Sequence, residues 1–140
     1  VKANRLVGTL TAATLSLTGL IIAAPSADAA TCYASSCHHK DPTSTGCNSG
    51  AITARSKTAP DGTIVELRYS ATCRAAWGRI RNSHVGAEAF VENTQGQNDS
   101  QFVSTGRDVY TLMVSDKDIQ AHACYATNGG SGFAACTGWY

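Results

Sequence analysis

Six cysteines narrow the possible folds of this chain more than any other feature. Cys32, Cys37, Cys47, Cys73, Cys124 and Cys136 all follow a stretch with the grammar of an export signal: Lys2 and Arg5, an apolar run from Leu6 to Ala24, then small residues at Ala27-Asp28-Ala29. Cleavage is expected after Ala29, which makes residues 1–29 a signal peptide and 30–140 a single secreted, extracellular domain. Thr, Ser and Gly interrupt the apolar run and Pro25 ends it, which argues against an anchor of ~20 apolar residues. An even set of cysteines in an exported chain points to complete pairing, with no thiol left for catalysis. A domain of about 110 residues (140 less 29) buries only part of its surface, so bridges carry a share of its stability.

The same cleavage changes the charge. Eleven basic and ten acidic side chains become nine and nine once Lys2, Arg5 and Asp28 leave. A neutral domain has no general attraction to phosphate backbones or anionic membranes, so nucleic acid and, after cleavage, membrane are not expected partners.

The mature part divides into a cysteine-rich head, residues 30–50, and a body, residues 51–140. In the head, Asp41-Pro42-Thr43-Ser44-Thr45-Gly46 is turn chemistry throughout. In the body, Pro60-Asp61-Gly62 opens onto Thr63 to Tyr69, where Val65, Leu67 and Tyr69 alternate with Glu66 and Arg68; this predicts a strand. Further strands are expected at Trp77 to Arg81, Ala87 to Asn93, Val109 to Val114, Ala121 to Ala126 and Phe133 to Trp139, although Arg74 to Arg81 also fits a helical turn. Asn93 to Ser100 reads as an exposed loop, and Asn128 to Gly132 as a turn. Short strands at roughly ten-residue intervals predict a mostly β fold: a small, disulfide-stabilised antiparallel sandwich or barrel with a cysteine-rich N-terminal loop.

Six cysteines allow fifteen pairings, and spacing alone leaves them open. Cys124 and Cys136 flank the Gly-rich turn and suit a hairpin staple, Cys37 and Cys47 bracket the Asp-Pro loop, and Cys32 is then left for Cys73. A bridge closing ten to fifteen residues contributes about 3 kcal/mol in the chain-entropy account.

Metal, hydrolytic and nucleic-acid chemistries each have candidate residues. Cys32, Cys37, His38, His39 and Cys47 gather thiols and imidazoles, but not at the C-x₂₋₄-C spacing of a zinc site, and export favours oxidation over ligation; no metal or cofactor is expected. His84 or His122 with a serine could form a nucleophilic pair in space, yet the chain has neither a G-x-S-x-G elbow nor an H-E-x-x-H motif. Glu66, Glu88 and Glu92 could supply paired carboxylates, although strand glutamates are usually solvated or salt-bridged. Arg68, Arg74, Arg79 and Arg81 form the one basic concentration; alternation distributes them over different faces, with Glu66, Glu88 and Glu92 as expected partners. Asn98-Asp99-Ser100 matches a glycosylation sequon.

Three segments form a set: Lys40-Asp41-Pro42 with Gly46-Cys47; Val65-Glu66-Leu67-Arg68-Tyr69-Ser70 with Thr72-Cys73-Arg74 and Ala76-Trp77; and Ala135-Cys136-Thr137-Gly138-Trp139-Tyr140. Together they resemble the YjfA-like family of small secreted actinobacterial proteins, a domain of unknown function. Some relatives in that family resemble the adaptor subunit of secreted umbrella-shaped toxin particles, which joins a lectin-like subunit to a repeat-containing scaffold. The resemblance therefore implies protein–protein interaction outside the cell, with other secreted proteins of those two kinds as partners.

The expectation is a non-enzymatic binding module, an adaptor in an extracellular assembly or antibacterial toxin complex. A small hydrolase or toxin acting on cell-wall material and a protease inhibitor are the alternatives. In the adaptor reading the head docks through His38, His39, Lys40 and Asp41, because a loop closed in advance loses less ordering entropy on binding.

Overall fold

Residues that alternate in polarity along short runs bury one face of each run, and turn-rich segments decide where the runs end. The computed structural model describes residues 29–128 and 132–140 and folds them into one 3₁₀ turn (Ala34–Cys37) and nine strands. These are β1 (Ile52–Thr58), β2 (Ile64–Ser70), β3 (Ala75–Arg81), β4 (Glu88–Asn93), β5 (Asn98–Phe102), β6 (Val109–Tyr110), β7 (Val114–Ser115), β8 (Ala121–Ala126) and β9 (Ala135–Cys136). One sheet runs β1-β2-β3-β6, with β7 also on β3, and the other runs β5-β4-β8-β9. Every pairing is antiparallel, and the two sheets stay separate, so the architecture is a sandwich and not a closed barrel. No helix among the described residues is long and apolar enough to cross a membrane.

Register builds the core. Val65 lies opposite Ile80 and Leu67 opposite Gly78, on the face that meets Ala89, Val91, Ala123 and Tyr125 of the second sheet. Small residues let the sheets approach, most closely at Gly78, where an added Cβ would sit 2.8 Å from the Phe90 carbonyl oxygen. Tyr125 is fully buried, and its hydroxyl donates to Asp61 Oδ2 at 2.5 Å, pinning the β1–β2 turn to β8 of the opposite sheet. That bond, with the Thr63 N–H on Oδ1, holds the Asp61 carboxyl below the usual range.

The alternate residues of β2 and β3 face outward, and residues 30–50 fold over part of that face as a third layer. Trp77, Ala75 and Met113 pack there with Cys32, Cys37, Cys47 and Cys73 in a second small core. Backbone bonds hold the layer down: Ala34 N–H to Cys73 O at 2.7 Å, His39 N–H to Met113 O at 3.0 Å, and Met113 N–H to Lys40 O at 3.0 Å.

The disulfides are Cys32–Cys37, Cys47–Cys73 and Cys124–Cys136. Two of the expected pairs, Cys37–Cys47 and Cys32–Cys73, are thus replaced. The 3₁₀ turn brings Cys37 back to Cys32, while the turn beginning at Pro42 delivers Cys47 to Cys73. The two bridges touch, with Cys32 and Cys47 sulfurs 3.6 Å apart. Any pairing of these four cysteines would draw the same four residues together, which is why spacing could not choose among them.

Several elements differ from expectation for local reasons. β1 is a polar edge strand, exposed along nearly its whole length, and carries none of the alternation that marks a half-buried strand. β5 occupies the second half of the segment read as a loop. The tight part is only the turn after Asn93, which is buried; its Oδ1 accepts the Gln95 and Gln97 N–H groups and its Nδ2 donates to Ser115 O. Val109 to Val114 breaks into β6 and β7 because the Thr111 hydroxyl, not a backbone group, accepts the Gly78 N–H, and Leu112 N–H turns to Asp99 instead. Arg74 to Arg81 is a strand, not a helical turn. Phe133 to Trp139 contains β9 alone, with Tyr140 exchanging two backbone bonds with Ala121. The expected export signal before Ala29 and most of the Gly-rich turn, residues 129–131, lie outside the described residues.

Candidate functional site

The turn at residues 71–74 sets the β2–β3 register so that Glu66 lies opposite Arg79, Arg68 opposite Trp77 and Ile64 opposite Arg81. Arg68, Arg79 and Arg81 therefore share the outer face of the first sheet, contrary to the expectation that alternation separates them. Only Arg74, in the turn, stands apart, paired with Asp118 at 2.8 Å. Even-numbered positions of one strand face the same way as odd-numbered positions of the other, a consequence of turn length that neither strand shows alone.

Glu66 is the one acidic residue on the β2 and β3 part of that face, and it is 5 % exposed. It accepts from Arg79 Nε at 2.6 Å, Arg81 Nε at 3.1 Å and Arg81 Nη2 at 2.8 Å. Burial pushes its carboxyl up, but the two guanidiniums outweigh that and hold it below the usual range. Arg68 gives its Nη1 to Thr53 Oγ1 at 2.6 Å and its Nη2 to the Ala51 carbonyl at 3.1 Å, neither of them charged. Burial first, then the Arg79 cation, hold Arg68 below the usual arginine range, with Glu66 only partly offsetting them.

The head loop forms the opposite wall. Asp41 organises it: Oδ1 accepts the Thr43 N–H at 2.7 Å and the Ser44 N–H at 2.9 Å, and its carbonyl accepts the Thr45 hydroxyl at 2.7 Å. Its second oxygen, Oδ2, accepts the Tyr110 hydroxyl from β6 at 3.2 Å. Lys40 is exposed, with its carbonyl held by Met113. His39 donates through Nε2 to the Asn98 carbonyl of β5 at 3.0 Å, tying the head to the second sheet. The His38 ring lies tilted against that of His39 with ring centres 3.8 Å apart, and its own Nε2 is buried without a partner. Of the four expected docking residues, Asp41 alone lines the groove described next.

Between these walls lies a groove of about 470 Å³, lined by Asp41, Arg79, Gln101, Asp108, Val109, Tyr110 and Leu112. A smaller compartment of about 110 Å³ adjoins it through Arg79 and Tyr110 and is lined further by Pro42, Thr43, Asn48, Arg68 and Trp77. The groove has a basic end at Arg68 and Arg79, acids at Asp41 and Asp108, and an apolar floor at Val109 and Leu112. Sequence reasoning missed Arg68, Arg79, Asp108 and Tyr110 as members of one site. The hairpin register around residues 71–74 was the signal that could have found the arginines.

Other candidate chemistries are spread out. Glu88 and Glu92 lie on the outer face of the second sheet, across the sandwich from Glu66. Three strand residues separate those two, which places their Cα atoms about 13 Å apart, and Glu92 is hydrogen-bonded to His122. Glu92 accepts from His122 Nε2 at 2.8 Å, and His122 stacks on Trp139 with centres 3.9 Å apart. His84 bonds to the Thr127 carbonyl at 2.9 Å, so neither histidine is hydrogen-bonded to a serine. Among the described residues, two groups place metal-type donor atoms within 4.8 Å of one another: Cys32, Cys37, Cys47 and Cys73, and His122 with Cys124 and Cys136. Every sulfur in them is in a disulfide and carries no thiolate charge, so these donor sets suit a soft metal only after reduction.

Residues 35–124, more than half of the chain, match the family model described as Protein of unknown function (DUF2690). No curated protein and no solved structure matches the chain.

Proposed function

The chain belongs to the DUF2690 family, whose description assigns no activity, and we propose that its domain is a non-enzymatic binding module that receives another exported protein in the groove between head and first sheet. The groove itself carries the reading. Its volume of about 470 Å³ falls in the range of ligand clefts, and it combines an apolar floor with charges at fixed positions. Both walls are held by bonds within the chain: β3 by its ladders, the head loop by the Asp41 bonds and by the half-cystines at its two ends. A wall already ordered loses little conformational freedom on docking, which favours affinity. Asp41 acts in this reading through the shape of the loop, His39 through its anchorage to Asn98 with His38 beside it, and Lys40 at the exposed rim.

The finer assignment draws on the resemblance to the YjfA-like family. It is that of a secreted adaptor in an extracellular toxin complex, with a lectin-like subunit and a repeat-containing scaffold as the kinds of chain it joins. Mild purification of the native protein from culture medium tests the reading. It is expected to elute above its monomer mass with a second exported protein; elution alone as a monomer contradicts it.

A further inference from the structure

We propose that the basic end of the groove holds a carboxylate of the partner, an Asp or Glu side chain. This deepens the binding-module reading and rests on it. Three guanidiniums, Arg68, Arg79 and Arg81, share the outer face of β2 and β3 with a single carboxylate, Glu66. Arg79 and Arg81 claim that carboxylate. Arg68 is left with a hydroxyl and a carbonyl, which satisfy hydrogens but not charge. Burial is the main reason that Arg68 is held below the usual arginine range, and the crowding of cations beside Arg79 and Arg81 adds to it. A bound anion between Arg68 and Arg79 would relieve it, and the guanidinium fork suits a planar carboxylate.

Enclosure supports the same assignment. The compartment beside Arg68 and Arg79 has no acidic residue in its lining, which is completed by Asn48, Thr43, Trp77 and Tyr110. At about 110 Å³ it is well below the size of a whole-ligand cleft, so it fits the head group of something that extends into the larger groove. There Val109 and Leu112 supply an apolar floor, and Asp41 and Asp108 disfavour a second negative charge. The occupant is thereby oriented, with its acid at the Arg68 end and apolar or basic neighbours towards Asp108. A polypeptide without modifications offers no anion other than a carboxylate, which is why that group is assigned over phosphate or sulfate.

The test uses the oxidised, nitrogen-15-labelled protein at low ionic strength and follows the arginine Nε–Hε resonances. The probe is N-acetyl-Leu-Glu-Leu-amide, with its Gln counterpart and inorganic phosphate as comparisons. The glutamate peptide is expected to shift the Arg68 and Arg79 signals saturably, the Gln peptide at least tenfold more weakly. Arg68→Gln should lose at least tenfold of the response. Arg68→Lys, which keeps the charge without the fork and is the milder change for folding, should fall between. No saturable shift, equal responses to the two peptides, or tighter binding of inorganic phosphate than of the glutamate peptide would each overturn the proposal. A natural partner that co-purifies undiminished with Arg68→Gln would overturn it while leaving the adaptor reading intact. A protein that binds the peptide but elutes from culture medium alone contradicts the adaptor reading only.

Discussion

Two acidic side chains of this domain are buried, and their environments push them in opposite directions. Glu66 is surrounded by hydrogen-bond donors that favour its charge, whereas Asp116, beside β7, has both carboxylate oxygens buried with no hydrogen-bond partner. Arg74 is near enough to act through its charge, but its Nη2 is directed to Asp118 and its Nε is also buried without a partner. Burial therefore wins, and the Asp116 carboxyl is pushed up to about 7, against 3.8 for a free aspartate. An acid that holds its proton more tightly when folded favours folding at low pH. Stability falls as the pH rises from near 4, where the unfolded chain deprotonates, to near 7, where the folded residue does, and levels off above that. Each tenfold gain in proton affinity is worth about 1.4 kcal/mol, so the loss is on the order of 4 kcal/mol. Asp116→Asn is expected to flatten this slope in thermal denaturation across pH 4 to 8, raising Tm at pH 8 by on the order of 15 °C and changing it little at pH 4. An unchanged slope in the variant would show that the carboxyl finds a partner in solution.

At the scale of elements, the two-sheet body depends on how closely β3 and β4 approach. Gly78 faces the second sheet, and its surroundings leave no room for a methyl group against the Phe90 carbonyl. Gly78→Ala should cost about 2–3 kcal/mol by overpacking, read as a lower urea midpoint with an unchanged slope; a neutral outcome would mean that the sheets separate at little cost. The legible elements carried apolar runs or alternation in sequence: β4 alternates buried and half-buried residues along its length, while β2 and β8 have buried residues on both faces and were legible from their apolar residues. β1 and β5 were hidden because edge strands are satisfied by backbone pairing on one side and water on the other, which leaves polar sequences free to form them. The disulfides were hidden for a different reason. Cys32, Cys37, Cys47 and Cys73 meet in one cluster, and its internal partners depend on a 3₁₀ turn that four small residues do not announce.

For the whole molecule, the head is the third layer that turns the outer face of a sheet into a groove. Its cysteines and its Asp-Pro turn were legible as a constrained loop, but the site's other wall was not. Arg68 and Arg79 come together through strand register, and Tyr110 and Asp108 arrive from a segment 29 to 31 positions beyond Arg79 in the chain. The expected docking residues share only their charged or aromatic character and their place in one loop. Two of them bond to the body, His39 to Asn98 and Asp41 to Tyr110, while His38 lies against His39; in the proposed reading, partner recognition falls to the groove beside them. Its most direct test is photocrosslinking of the native protein in culture medium, with benzoylphenylalanine placed at Tyr110 in the groove or at exposed Thr127, just past β8 of the second sheet and outside the groove's lining. A discrete adduct with a second exported protein is predicted from position 110 and not from 127. Adducts from both positions alike, from 127 alone, or from neither would contradict the account.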